Sequence, residues 1–213
     1  SLHAGGSLSF GNLTTPKVVS ERAVIRILMG GIHGDLFHTV ETAPDNHEVG
    51  KAQFVPTPSL SVPYPVRPPL PPGEPIPVAL KGFAATVSAT LDPDDHGGFF
   101  PDYFKFSGKA GQHWTIEAMS YIFDSGERYL DNADVAILLL EAETGIVLPY
   151  YGGFAMNDDD DEAGYRGATL LDIILPYSGE FVIEVVAAGP FLGGGKTGLD
   201  GGSYELFLYT ARA

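Results

Sequence analysis

From residue 78 to residue 210, apolar residues recur with a period of two, in short runs cut by Gly, Pro and Asp. A period of two puts alternate side chains on opposite faces of a strand, whereas a helix needs a period near 3.6. Residues 84–91 alternate, residues 103–107 are short and aromatic, and residues 114–121 alternate again. Residues 135–141 are almost continuously apolar, the pattern of a strand buried on both faces. Residues 146–151, 168–175, 180–187 and 204–210 complete the series, with turns at Gly145 and at Pro176-Tyr177-Ser178-Gly179. No stretch carries a helical period. Short strands at this spacing predict an all-β chain, an antiparallel, jelly-roll-like β-sandwich spanning residues 78–213.

Two segments before it differ in kind. Residues 1–38 form an extended N-terminal arm with one strong strand at residues 18–29. Ala23, Ile25, Ile27 and Met29 fall on one face of that strand, Arg22, Val24, Arg26 and Leu28 on the other, and Gly30-Gly31 ends it. Residues 39–77 hold an opening motif and a proline-rich connector. Ten of the 17 prolines lie between Pro56 and Pro77. Proline lacks the N–H that a ladder needs, so this connector is expected to be polyproline-like and stiff.

Composition narrows the function. The chain has 213 residues, 44% of them hydrophobic, enough for a sizeable core. Acidic residues outnumber basic ones 27 to 12, a net charge of −15. Nucleic acid is not an expected partner, because affinity for its backbone comes from Lys and Arg. There is no cysteine, which excludes disulfides, zinc–thiolate sites and thiol nucleophiles. No run of apolar residues is long enough to span a membrane.

The order of motifs resembles the bacterial pre-peptidase C-terminal domain family, related to the collagen-binding domains of collagenases. Glu41-Thr42-Ala43-Pro44-Asp45-Asn46 is similar to that family's E-x-x-P-N-N opening, with Asp45 in place of the first Asn. Asp102-Tyr103-Phe104-Lys105-Phe106 resembles its D-Y-F-x-F strand, and Gly108 to Gln112 its A-G-Q turn. Asp134 to Leu140 resembles D-x-x-L-x-L, and Asn157-Asp158-Asp159 the N-D-D turn. Leu175 to Phe181 resembles L-P-x-x-G-x-Y, with Phe181 for Tyr, and Gly202 to Leu206 the closing G-x-Y-x-L strand. The proline insertion and the arm depart from the family pattern.

Carboxylate clusters are the sharpest chemical signal. Asn157, Asp158, Asp159, Asp160, Asp161 and Glu162 crowd one turn. Calcium takes six to eight oxygens, which Asp, Asn and turn carbonyls supply; a solvated acidic loop is the competing reading. The resemblance implies a second calcium site joining Glu41, Asp45 and Asn46 to Asp102, with Asp92, Asp94 and Asp95 close in sequence. Ordinary turn chemistry accounts for the same residues without a metal.

Enzyme motifs are lacking. There is no H-E-x-x-H and no G-x-S-x-G, and the six histidines are scattered. Gly193-Gly194-Gly195-Lys196-Thr197 mimics a phosphate loop, but Pro190 stands where the Walker pattern needs Gly. Trp114, Tyr103, Phe104 and Phe106 are expected in the core; Tyr150 and Tyr151, beside Gly152-Gly153, are expected either at the rim of the core or as an exposed ligand platform.

The expected function is therefore a non-catalytic, secreted or cell-surface subunit. It would self-associate with identical subunits into a filament or matrix, by donor-strand insertion of the arm through Val24, Ile25, Ile27 and Met29, and calcium would stabilise it. The alternative is an accessory domain of a larger secreted protease or other hydrolase, binding an extracellular protein or polysaccharide.

Overall fold

The computed structural model describes residues 38–42, 45–62, 80–119, 133–158, 167–188 and 202–210. These residues hold thirteen strands and one 3-10 turn, Val49–Lys51. In chain order the strands are β1 (His38–Val40), β2 (Gln53–Phe54), β3 (Ser59–Val62), β4 (Leu80–Thr90), β5 (Asp102–Gly108), β6 (His113–Met119) and β7 (Val135–Glu141). They continue with β8 (Pro149–Tyr150), β9 (Gly153–Phe154), β10 (Met156–Asn157), β11 (Ala168–Ile174), β12 (Gly179–Ala187) and β13 (Ser203–Tyr209).

Two sheets make a sandwich. One has the order β1-β4-β13-β6-β11, with β3 also on β4; the other is β10-β7-β12-β5-β2. Period-two alternation feeds the space between them. Phe104 and Phe106 of β5, Trp114 and Ile116 of β6, and Leu206 and Leu208 of β13 are fully buried there. The Phe106 and Trp114 rings are 4.7 Å apart, in tilted contact. Gly108 ends β5 where a Cβ would collide with Leu175 Cδ1, so a side chain at 108 would force that leucine to shift. Tyr103, expected in the core, points the other way and donates its hydroxyl to Glu184 at 2.8 Å.

The strand buried on both faces is present. Val135, Ile137 and Leu139 of β7 join the main core, while Leu138 and Leu140 meet Val182 on the outside of their sheet. Val49, within the 3-10 turn, and Ala52, just after it, pack against that outer cluster.

The sandwich starts well before residue 78. β1 lies parallel along the edge of β4, with Thr39 opposite Val87. β2 lies parallel along the edge of β5, with Gln53 opposite Phe104. β3, flanked by Pro58 and Pro63, then returns antiparallel to β4, with Leu60 opposite Gly82. From β4 onward every described pairing is antiparallel, as expected, and the two parallel pairs are added at the edges by β1 and β2. Residues 38–62 thus close one side of the sandwich, touching first one sheet, then the other, then the first again. The arm, including Val24, Ile25, Ile27 and Met29, lies outside the described residues.

Candidate metal centre

Alternation along β5 buries Asp102, Phe104, Phe106 and Gly108 together. A carboxylate therefore enters the sandwich with the same parity as two core phenylalanines, and Asp102 is 0% exposed. Isolated carboxylates are not stable there without partners. One partner is Tyr204 of β13, itself buried, whose hydroxyl donates to Asp102 Oδ2 at 2.7 Å.

The segment after β1 supplies the other side. Glu41 N donates to Ser88 O at 2.9 Å, which extends the β1–β4 ladder by one step. Its carboxylate then accepts at both oxygens. Asn46 Nδ2 donates to Oε1 at 2.8 Å, and Thr90 N donates to Oε2 at 3.2 Å. Asn46 is 0% exposed, and its carbonyl accepts from Tyr103 N at 2.9 Å. Glu41 and Asn46 thereby tie the ends of β4 and β5 together.

Two buried oxygens in this cluster have no hydrogen-bond donor among the described residues: Asn46 Oδ1 and Asp102 Oδ1. His47 Nδ1 stands 3.8 Å from Asp102 Oδ1, too far for a hydrogen bond. It lies nearer the Pro101 carbonyl, at 3.2 Å. The His47 ring is stacked on Phe100, with centroids 4.6 Å apart. An unsatisfied buried oxygen is costly, of order 1–3 kcal/mol, and two in one cluster call for an electrophile.

Charge points the same way. Burial pushes the Asp102 carboxyl up to about 8, reinforced by the Glu41 and Asp92 charges and opposed by the Tyr204 hydrogen bond. Burial also raises Glu41, with the Asp92 charge adding to it, against the hydrogen bonds from Thr90 and Asn46 and the nearby His47. Carboxylates that crowd one another in a low-dielectric site favour a bound proton or a bound cation.

The donors fit a hard cation. Carboxylate oxygens of Asp102 and Glu41 and the amide oxygen of Asn46 suit calcium, with the remaining ligands left to carbonyls and water. Asp45 stays exposed on the turn just before Asn46. No group of three or more His, Cys, Asp or Glu side chains is arranged to hold a metal among the described residues. The site is a mixed set, whose amide oxygen is one of its two orphaned atoms.

The second acidic cluster is differently built. Asn157 spends its side chain on structure: Nδ2 donates to Thr169 O at 2.9 Å, and Oδ1 accepts from Asp158 N at 3.1 Å. It ties β10 to β11. Asp158 is half-buried beside it, and Asp159 and Asp160 lie outside the described residues.

Tyr204 and Thr90 were not read from the sequence as parts of a site. The signal for Tyr204 was its parity with Leu206 and Leu208, which turns it inward. A second buried pair, Tyr209 donating to Glu117 Oε1 at 2.9 Å, repeats the tyrosine–carboxylate arrangement across β13 and β6.

No family model matches the chain, and no curated protein matches it. Among solved structures it is similar to PliG of Aeromonas hydrophila, a periplasmic inhibitor of g-type lysozyme. The TM-score is 0.32 at 15% identity, covering 62% of this chain and 86% of that one. The all-β sandwich rests on the strand pairing described above. No helix among the described residues is long and apolar enough to cross a membrane.

Proposed function

We propose that the chain is a non-catalytic, extracellular β-sandwich subunit that self-assembles, its fold clamped by calcium at Glu41, Asn46 and Asp102. The observation that carries the clamp is the pair of buried, donorless oxygens, Asn46 Oδ1 and Asp102 Oδ1. When bound, the cation would supply positive charge to both and relieve the repulsion between Asp102 and Glu41. The chain's own residues do the rest. Thr90 and Asn46 orient Glu41, Tyr204 orients Asp102, and the segment bearing Glu41 and Asn46 joins the two sheets at β4 and β5.

Support for the non-catalytic reading is that no nucleophile-and-base motif stands in the sequence. Support for assembly is the sequence of the arm, where residues 18–29 alternate in the pattern of a strand; a single strand would need a partner to be stable. Insertion into a neighbouring copy would repeat head to tail and give filaments.

Two measurements test this. Calcium should raise the melting temperature of the chelator-treated protein, since a ligand of the folded state stabilises it; an unchanged melting curve rejects the clamp. Electron microscopy and sizing of the protein with and without residues 1–30 should show assemblies only for the longer chain. Discrete monomers in both reject assembly.

A further inference from the structure

The β8–β9 hairpin carries a feature that packing does not require. Tyr150 pairs with Gly153, so Tyr151 and Gly152 form a two-residue loop. Both have positive φ, 43° and 84°. That is a type I′ turn, whose first position favours Asn, Asp or Gly because a bulky side chain is strained there. A tyrosine occupies it instead, 84% exposed, and Phe154 of the same hairpin is 62% exposed. Local strain held by surrounding structure is a mark of functional positions.

The surroundings hold it firmly. The Tyr150 ring packs against the core and meets the Tyr151 ring edge-on, with centroids 4.5 Å apart. Its hydroxyl hydrogen is shared between the carbonyls of Leu171 and Asp172, at 3.2 and 3.1 Å. Those two residues form a β-bulge in β11, where the register to β6 shifts between Leu170 and Ile173. Bulges redirect side chains. Asp172 is the second non-glycine with positive φ, 56°. Its side chain is 57% exposed, and its Oδ1 lies 2.8 Å from Nδ1 of the largely buried His113. One tyrosine hydroxyl thus couples two strained residues, an aromatic face and an oriented carboxylate–imidazole pair.

We propose that Tyr151, Asp172 and His113 form a binding site for a neutral polysaccharide. One pyranose stacks its apolar C–H face on Tyr151, and its hydroxyls donate to Asp172. A pyranose has one apolar face and a rim of hydroxyls; an exposed aromatic ring joined through Tyr150 to a fixed acceptor complements both. Holding ring and carboxylate in place beforehand reduces the ordering cost of binding. A polyanion is disfavoured by the net charge of −15. The site goes beyond the calcium clamp and shares no residue with it. Asp172 N donates to Thr115 Oγ1, and Thr115 shares a row with Tyr209. The clamp adjoins Thr90, at the opposite end of β13, where Ser203 faces it.

The test is depletion binding of the full chain to insoluble chitin, cellulose and xylan. Retention on at least one is expected. Tyr151→Asn should weaken it roughly tenfold or more while raising the melting temperature by about 2 °C, because Asn tolerates positive φ. Asp172→Asn, which keeps that tolerance, should weaken it several-fold. Failure to bind any of the three, or retention that Tyr151→Asn leaves unchanged, overturns the proposal. The melting curve shows that the variant is folded in either case.

Discussion

The hydroxyl of Tyr204 donates to Asp102 Oδ2 across 2.7 Å, with both side chains closed off from water inside the sandwich. That bond satisfies one carboxylate oxygen and leaves the other without a donor among the described residues, as Asn46 Oδ1 also is. A tyrosine can stabilise a buried carboxyl in either protonation state, because its hydroxyl donates to the carboxylate and accepts from the acid. The pair therefore sets a proton and a cation in competition for the same carboxyl group.

Asp102→Asn separates the two. Asparagine keeps an oxygen for Tyr204 and removes the charge. The variant should lose most of the calcium-dependent rise in melting temperature, while its chelator-treated form should melt at or above the wild type. Thermal melts of both proteins with calcium and with EDTA check this. A full calcium response in the variant would remove Asp102 from the clamp.

Stability should depend on pH in a definite direction. The Asp102 carboxyl titrates near 8 in the folded chain, against 3.8 for the free side chain, and Glu41 is also raised. Between those values the folded state keeps a proton that the unfolded state has lost, so stability falls as pH rises from about 4 to about 8. The metal-free protein should show this fall in chemical denaturation. Calcium needs the deprotonated groups, so its affinity should rise over the same interval, by up to roughly tenfold per pH unit for each proton displaced. The charges of Asp92 and His47 and the hydroxyl of Tyr204 act on these two carboxyls. A metal-free stability that climbs from pH 4 to 8 would contradict the assignment.

Gly108→Ala probes the core. The added Cβ would collide with Leu175 Cδ1, with Phe181 and Trp114 each at 3.5 Å. Overpacking of this kind costs about 1–3 kcal/mol. Urea denaturation should show a lower midpoint with an unchanged slope. The calcium response should be retained, since the substitution is at the far end of β5 from Asp102.

Much of the sandwich was legible because its strands obey the period of two over seven or more residues. Trp114 and Ile116 of β6, and Phe104 and Phe106 of β5, show their faces directly in the sequence. The burial of Asp102 follows from its parity with Phe104 and Phe106, which the placing of Tyr103 in the core had hidden. β1, β2 and β3 were not, since two to four residues among prolines and polar side chains cannot show a period. Their pairing follows from what the edges of β4 and β5 leave open, which is a tertiary fact. The bulge at Leu171 and Asp172 was equally hidden, because nothing local distinguishes an extra residue in a strand from the next step of the alternation. Orphaned oxygens are visible only once all donors are in place.

The registers of β1 and β13 also fix how the module would bear load. His38 lies opposite Thr86 and Tyr209 opposite Ala84, so the chain enters by β1 and leaves by β13 at the same end of the sheet. Tension between those points would not shear the ladders; it would unzip β1 from β4, one bond at a time, starting at His38. The unzipping runs past Thr39 and Val40 and reaches Glu41, where the side chain is bonded to both Asn46 and Thr90. That knot at the far end is where peeling would stall, and a cation bound there, as proposed above, would raise the force at which it gives way.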